Sequence, residues 1–219
     1  MQLTVDEIVR DVFLQKQLIK KNFNCLEIGS NNFRQTKILL KFYKKVYCIN
    51  PIFKKNYDAR VEFKKNTLEN YVIPHDVKDI FLVCIIEHLT NLKPCLKKVI
   101  RHLKNTRKVG GGGAGNLFII FNNKYYFHRI LGYQLGLIKN LSQLTKKEKK
   151  HGHNFILDEI YLEKFFFINK IKFKKKYFMF KPMPTHKMKY LIKKKNFKKF
   201  IYPKILEKNS GYIFYKCSF

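Results

Sequence analysis

A strand, a tight turn and a helix are predicted within residues 25–40, CLEIGSNNFRQTKILL. The short, mostly apolar run at 25–28 is typical of a buried strand, and Gly29 follows it directly. Glycine adopts positive φ easily and lets a ligand approach the backbone. Since apolar residues then recur at helical spacing, the stretch predicts the first strand, turn and helix of an α/β fold.

Strand and helix alternate on both sides of that unit. A helix is predicted from Thr4 to about residue 21, because Thr4 and Glu7 have the spacing of a capping box. Further strands are predicted from VYCIN, RVEF, KDIFLVCII and GNLFIIFNN, at residues 46–50, 60–63, 78–86 and 115–123. The alternation predicts a Rossmann-like, doubly wound, mostly parallel sheet with helices on both faces. A closing pair of strands is predicted within 168–180 and 211–219.

The chain length of 219 residues suits a single α/β domain over 1–219. Residues 123–164 interrupt the alternation with aromatic, glycine-containing and basic helical stretches, and we predict that they form a cap over the ligand crevice. Residues 109–115, VGGGGAG, hold five of the ten glycines. That composition codes for a flexible loop, either an engineered replacement or a natural glycine turn.

The formal net charge of +31 directs attention to nucleic acid or an anionic membrane. The excess is nearly all lysine and accompanies abundant Asn, Ile, Phe and Tyr, so AT-rich codon usage is a competing explanation. The five cysteines form no CxxC pair, which predicts a reducing compartment and no structural metal. Neither a signal-peptide core nor an apolar run of about 20 residues is present, which predicts a cytoplasmic protein.

Polar residues follow the predicted strands, where ligands bind in doubly wound sheets. Glu27 and Gly29 end the first strand, and Asn50 ends the second, 23 positions after Glu27. An acidic residue near this spacing binds ribose hydroxyls in nucleotide-binding folds, whereas Asn50 is equally a turn residue before Pro51. Glu87 and His88 follow the fourth strand.

These elements in this order resemble the class I S-adenosylmethionine-dependent methyltransferases. The resemblance covers LEIGS, VYCIN, IIEHL with its apolar helix, and LFIIFNN, across roughly residues 20–180. The EHL element, Arg129 to Gly132 and the pair Gly152 and His153 are similar to the branch that methylates saccharides, small molecules and lipid-linked acceptors. The resemblance implies a seven-stranded sheet with an antiparallel last strand, and S-adenosyl-L-methionine as cofactor.

The resemblance also implies which residues contact the cofactor. Four groups of strand-end residues would do so: Glu27, Gly29, Ser30 and Asn31 at the methionine part, Asn50 at the ribose, Asn66, Thr67 and Leu68 at the adenine, and Cys84 and Ile85 at the pocket floor. The family has further glycines in its first turn, which Ser30, Asn31 and Asn32 do not supply, and Asn50 replaces its ribose acid. A binding protein without turnover therefore remains an alternative.

A hydroxyl acceptor needs a base, and histidine titrates near neutrality. His88 and His153 are the predicted catalytic residues, with His128 and His151 as further candidates. A histidine that only starts a helix is the competing interpretation for His88, and one that only orders the cap is the competing interpretation for His153.

The sequence predicts a methyltransferase that O-methylates a sugar, a glycan precursor or a related small metabolite. An RNA methyltransferase is the alternative that the charge suggests, although the chain shows no dedicated RNA module. The aromatic and lysine-rich carboxyl half, residues 165–200, suits single-stranded nucleic acid or peripheral contact with the inner face of an anionic membrane. It suits equally an ordinary strand, then a Pro-containing break and a lysine-rich helix that together cover 182–199, with lysine on the exposed positions.

Overall fold

A computed structural model describes residues 4–30, 33–52, 58–109, 115–179 and 208–219. The strands are β1 Asn24–Ile28, β2 Val46–Asn50, β3 Val61–Lys65, β4 Val77–Val83, β5 Asn116–Asn122, β6 Lys172–Phe178 and β7 Tyr212–Ser218. The helices are α1 Val5–Gln17, α2 Arg34–Leu39, α3 Leu92–Val109, α4 Phe127–Gln134, α5 Lys146–Lys150 and α6 Glu159–Ile168, with a 3-10 turn, η1, at Ile86–His88.

The strands form one seven-stranded sheet in the order β3-β2-β1-β4-β5-β7-β6. Neighbours are parallel from β3 to β5, whereas β7 is antiparallel to both β5 and β6. This confirms the predicted doubly wound sheet and its antiparallel last strand. The chain order reverses between β1 and β4, so a ligand crevice is expected at the carboxyl ends of these two strands.

Successive side chains of a strand point to opposite faces of the sheet, and helices cover both faces. Leu26, Ile80 and Ile119 pack on the face that α3 and α6 cover. Phe81 and Phe118 lie on the other face, against residues of α1 and α2, with their rings stacked at 4.6 Å. Full burial of each such side chain contributes about 1.5–3 kcal/mol.

Local sequence signals set two of the boundaries that position the crevice. At the start of α1, the Thr4 side chain accepts a hydrogen bond from the Glu7 backbone N–H at 3.3 Å, and the Glu7 carboxylate accepts one from the Thr4 N–H at 2.9 Å. The predicted capping box is therefore confirmed. The fourth strand was predicted to continue to residue 86, but it ends at Val83, because Cys84 has φ of 51° and directs the chain into η1.

Three sequence predictions concern segments that lie wholly or partly outside the described residues. These are the glycine-rich loop, of which 110–114 are not described, the Pro-containing break and lysine-rich helix predicted within 182–199, and Asn31. Gly115 is described, and a Cβ at that position would lie 2.0 Å from the Lys78 carbonyl oxygen, so this glycine is required by packing before β5. Among the described helices, none is long and apolar enough to cross a membrane.

Candidate functional site

The turns after β1, β2 and β3 are joined to one another at one edge of the sheet. The Gly29 N–H donates to the Ile49 carbonyl at 2.8 Å, and Asn50 Nδ2 donates to the Ser30 carbonyl at 2.9 Å. The Asn66 N–H donates to the Asn50 carbonyl at 3.1 Å. The structure thus brings together strand-end residues that lie far apart in the sequence.

Gly29 is fixed by its backbone and by the turn after β4. Its φ is +79°, which disfavours any residue with a Cβ. A Cβ built there would lie 2.5 Å from both Cγ1 and Cδ1 of Ile85. Ile85 therefore packs directly on the first turn, so the ends of β1 and β4 meet.

Glu27 lies inside the protein, on the face of the sheet that carries α2. Its side chain is 2% exposed, accepts a hydrogen bond from the Thr36 hydroxyl and lies 3.6 Å from Cys48 Sγ. Burial raises the pKa of Glu27 to about 7, although hydrogen bonds from Thr36 and Cys48 oppose the shift. Ser30, also buried, shares a 3.0 Å hydrogen bond with Thr36. These polar groups satisfy one another.

The predicted ribose and adenine residues also make contacts within the protein. Asn50 Oδ1 accepts from the Ile52 N–H at 2.8 Å, which, with its bond to Ser30, leaves one amide N–H and one oxygen lone pair. Asn66 Oδ1 accepts from the Thr67 N–H at 2.8 Å. Leu68 is a core residue, 2% exposed, and its carbonyl accepts from the Lys98 ammonium at 2.9 Å.

Glu87 joins the turn after β4 to the end of β5. Its Oε1 accepts hydrogen bonds from both the backbone N–H and the side-chain Nδ2 of Asn122, each at 3.0 Å. The side chain is 1% exposed, and Oε2 has no hydrogen-bond partner among the described residues. A buried carboxylate oxygen without a hydrogen-bond partner costs free energy. Glu87 therefore has one oxygen that can still accept a hydrogen bond in this site.

His88 and His153, the two predicted catalytic residues, lie together. Their ring centroids are 4.7 Å apart and their planes are nearly perpendicular, at 79°. Asn154 holds the two segments, since its N–H donates to the Glu87 carbonyl and its Nδ2 to the His88 carbonyl, both at 2.9 Å. Burial, and then His153, lower the pKa of His88. His153 Nδ1 is buried and has no partner among the described residues.

Solved structures of similar fold include proteins described as methyltransferases. A candidate S-adenosylmethionine-dependent methyltransferase from Listeria monocytogenes is 10% identical over 97% of this chain and 99% of its own, with a TM-score of 0.58. The YcgJ protein of Bacillus subtilis is 11% identical over 95% of this chain and 97% of its own, also with a TM-score of 0.58. The chain has the class I methyltransferase fold.

A third structure with this methyltransferase fold contains ligands. The plantazolicin methyltransferase BamL, solved with a triazolic desmethylPZN analog and S-adenosylhomocysteine, is 11% identical over 95% of this chain and 84% of its own, with a TM-score of 0.55. The sequence itself matches no protein-family model and no curated protein. The resemblance is therefore one of fold.

Sequence reasoning missed Arg10, which the methyltransferase fold brings to the end of β4. Arg10 lies on α1, and its Nη1 is 3.1 Å from Cys84 Sγ. With the Gln35 amide oriented as its neighbours require, the Gln35 oxygen accepts from Arg10 Nη2 at 3.3 Å. Arg10 Nε is buried and has no partner among the described residues. No spacing from Arg10 to the strand ends could have indicated this, because the contact spans 74 positions.

Residues 123–164, the predicted cap, are joined to the rest of the fold at two places. Asn123 Nδ2 donates to the Lys208 and Ser210 carbonyls, and Asn154 contacts η1 as described. His128 and His151, the other candidate bases, are placed differently from the central pair. His128 packs beside Phe127 in α4 with ring centroids at 5.5 Å, and His151 is an exposed residue that ends α5.

Proposed function

We propose that the protein is an S-adenosylmethionine-dependent methyltransferase that methylates a hydroxyl group of a saccharide, glycan precursor or related small metabolite. The observation that carries this proposal is the His88 and His153 pair, 4.7 Å apart at the carboxyl end of β4 in a methyltransferase fold. BamL, which shares the fold, was solved with S-adenosylhomocysteine and a triazolic desmethylPZN analog. The same fold hosts many acceptors, so the acceptor class rests on the histidine pair.

Two residues near the crevice, Arg10 on α1 and Asn50 at the end of β2, fit this cofactor. Arg10 offers a buried guanidinium with an unpartnered Nε, which suits the carboxylate of a methionine group. Asn50 offers one amide N–H and one lone pair, which suit a pair of ribose hydroxyls. When bound, S-adenosylmethionine supplies an electrophilic methyl group on a sulfonium.

The histidine pair supplies the proton acceptor that a hydroxyl needs. Since burial and His153 lower the pKa of His88, its imidazole is neutral at pH 7 and has a lone pair available. His153 Nδ1, buried and unpartnered, is the second group that can accept or hold the proton. Asn154 bonds the backbone beside both rings and so holds the two segments together, which favours a fixed separation of the rings.

Calorimetry with S-adenosylhomocysteine tests the cofactor site directly. We expect saturable binding by the wild-type chain, and Arg10→Gln is expected to weaken it by about 10- to 150-fold, as loss of a hydrogen bond to a charged group does. Arg101→Gln is the matched control, because Arg101 is exposed on α3. A folded wild-type protein that binds no S-adenosylhomocysteine at millimolar concentration would refute the proposal.

Transfer of a labelled methyl group tests the acceptor class. With saccharides and sugar nucleotides offered beside total RNA, label is expected in the small-molecule fraction, and His88→Gln is expected to reduce it by about 10²- to 10⁴-fold. Label that enters RNA, with binding that weakens steeply as salt rises, would instead establish the RNA methyltransferase. Binding of S-adenosylhomocysteine without any transfer would support a binding protein without turnover.

A further inference from the structure

Helix α4 is oriented with its apolar side toward solvent and its charged side toward the protein. Phe127 and Leu131 are each 38% exposed and Leu135, the residue after the helix, is 64% exposed. These residues lie four positions apart in the sequence, so they form one stripe along the helix. The arginine of this helix, Arg129, is only 4% exposed. Amphipathic helices of globular proteins show the opposite arrangement.

Arg129 fixes this orientation. Its Nε donates to the Leu141 carbonyl at 2.7 Å, Nη1 forms an ion pair with Glu148 at 2.8 Å, and Nη2 donates to the Gln143 carbonyl. Rotation of α4 to bury its apolar stripe would break these bonds and leave a buried charge unpaired. The exposed stripe is therefore a fixed feature of the cap.

The apolar surface continues beyond the helix. Gly136 has φ of +70° and turns the chain, and the Leu137 N–H donates to the Gly132 carbonyl at 2.8 Å. Leu137 follows at the tip of this turn and is 75% exposed. Phe127, Leu131, Leu135 and Leu137 together form what we call the apolar stripe. A contiguous exposed group of this kind marks an interaction surface more often than single exposed leucines do.

Lysines follow the apolar stripe in the same part of the cap. Residues 123–150 contain seven Lys or Arg residues and a single acidic residue, Glu148, which Arg129 already pairs. Five lysines of the segment are exposed and form no ion pair with a carboxylate of the described residues: Lys139, Lys146, Lys147, Lys149 and Lys150. The Arg129 to Glu148 contact holds α5, which carries four of them, beside α4.

We propose that this face of the cap docks on an anionic lipid bilayer. The apolar stripe enters the boundary between head groups and acyl chains, and the lysines contact the lipid phosphates. The charge of the segment is complementary to such a surface. A protein partner fits less well, since protein interfaces are depleted of lysine. Single-stranded RNA fits less well too, because three of the four residues of the stripe are leucines, which offer no ring for base stacking.

Tryptophan fluorescence reports this contact directly, because the chain contains no tryptophan. In the full-length chain, Leu137→Trp is expected to shift its emission to shorter wavelength when phosphatidylcholine vesicles containing phosphatidylglycerol are added. Val72→Trp is the matched control, since Val72 is 83% exposed between β3 and β4, outside both the cap and residues 165–200. Its emission is expected to remain unchanged. A folded Leu137→Trp protein without a shift, or an equal shift for both variants, overturns the proposal.

Sedimentation with vesicles measures the contribution of the stripe. The double variant Leu135→Ser and Leu137→Ser is expected to bind vesicles containing phosphatidylglycerol at least about tenfold more weakly than the wild type. Circular dichroism checks that both proteins are folded, as expected for exposed positions. Vesicles of phosphatidylcholine alone are expected to retain little protein, and added salt is expected to weaken binding to the anionic vesicles. Equal binding by wild type and double variant contradicts the proposal.

Two other occupants of the stripe give different results. If a second copy of the chain covers it, light scattering will show a dimer that the double variant loses, and vesicle binding will be absent. If RNA covers it, an oligonucleotide will bind the wild type more tightly than the double variant while vesicles do not bind. Either result overturns the bilayer proposal. None of these measurements needs cofactor, so their outcome is independent of S-adenosylhomocysteine binding.

Discussion

The turns after β1 and β4 lie side by side, yet they treat their polar groups in opposite ways. In the first turn, Glu27 and Ser30 are hydrogen-bonded to Thr36, and Asn50 is bonded to the turn itself. In the turn after β4 and the cap segment that meets it, Glu87 Oε2 and His153 Nδ1 are buried without a partner among the described residues. Glu27 and Ser30 thus use hydrogen bonds within the protein, whereas Glu87 and His153 each retain a buried atom without a partner among the described residues.

This difference suggests two roles: hydrogen-bonded groups hold the crevice in place, and groups without a partner have hydrogen-bonding capacity left for a ligand or substrate. A satisfied buried network rigidifies the backbone, and a partly satisfied one is tolerated where a ligand or substrate completes it. Gly29 and Glu27, which attract attention in the sequence, mainly determine where the strands end. Glu87 Oε2 and His153 Nδ1, near η1, can still form hydrogen bonds, as can the remaining N–H and lone pair of Asn50. Each prediction below tests one side of this contrast.

The largest effect is expected from Gly29→Ala. The substitution places a Cβ at φ of +79° and 2.5 Å from Ile85, and strain and overlap together are expected to lower the free energy of unfolding by about 4 kcal/mol. Gly132→Ala is the control, because no atom lies within 4 Å of its Cβ position and it is helical, so a gain of up to about 1 kcal/mol is expected. Urea denaturation measures both, and equal stability of the two variants would show that the first turn is not the rigid element.

Glu27→Gln tests the buried network through pH. The pKa of Glu27 is about 7 in the folded protein and 4.5 when unfolded, so its contribution to stability is fully present below pH 4.5 and is lost as pH rises through 7. Glutamine cannot ionise, so the variant is expected to exceed the wild type at pH 8 by on the order of 3 kcal/mol. Near pH 4.5 the two should be similar. Denaturation curves from pH 4.5 to 8 that stay parallel contradict this.

A smaller loss is expected when the partner of Glu87 is removed. Asn122→Leu deletes the side-chain donor to Oε1 and leaves only the backbone N–H, which is expected to cost about 2 kcal/mol because the acceptor is a buried carboxylate. Asn140→Leu is the control, since Asn140 is exposed and its side chain accepts only from the Ser142 N–H, and about 0.5 kcal/mol or less is expected. Chemical denaturation of the two variants checks the ratio.

The fold could be predicted from the sequence because it depends on local patterns. Apolar runs of strand length alternate with helical spacing, and the capping box at Thr4 marks the start of α1. The predicted end of β4 was wrong by three residues. The residues CII continue the apolar run, and only the conformation of Cys84 ends the strand. The spacing of apolar residues does not indicate where a single residue adopts a positive φ.

The site was less predictable because its contacts are long-range. Glu27, Gly29 and His88 stand out as strand-end residues, and His153 was identified through resemblance. Their partners, however, lie elsewhere in the sequence. Ile85 occupies the space that a Cβ at position 29 would need, and the Thr36 hydroxyl on α2 donates a hydrogen bond to Glu27. Arg10 carries no sequence signal at all, because an arginine on an amphipathic helix looks like a surface residue. Only the packing of α1 on the sheet brings it to Cys84.

The smallest effect concerns the histidine pair itself. His153 is the second cause, after burial, that lowers the pKa of His88, so His153→Gln is expected to raise that pKa toward the ordinary value of 6.5 without reaching it. NMR titration of the imidazole signals follows this change. His102→Gln is the control, because His102 bonds the Val77 carbonyl at 2.8 Å at the opposite end of β4. A wild-type His88 that titrates at or above 6.5, or one that His153→Gln leaves unchanged, would mean that the two rings do not share an environment, and His88 would then join the groups that serve structure alone.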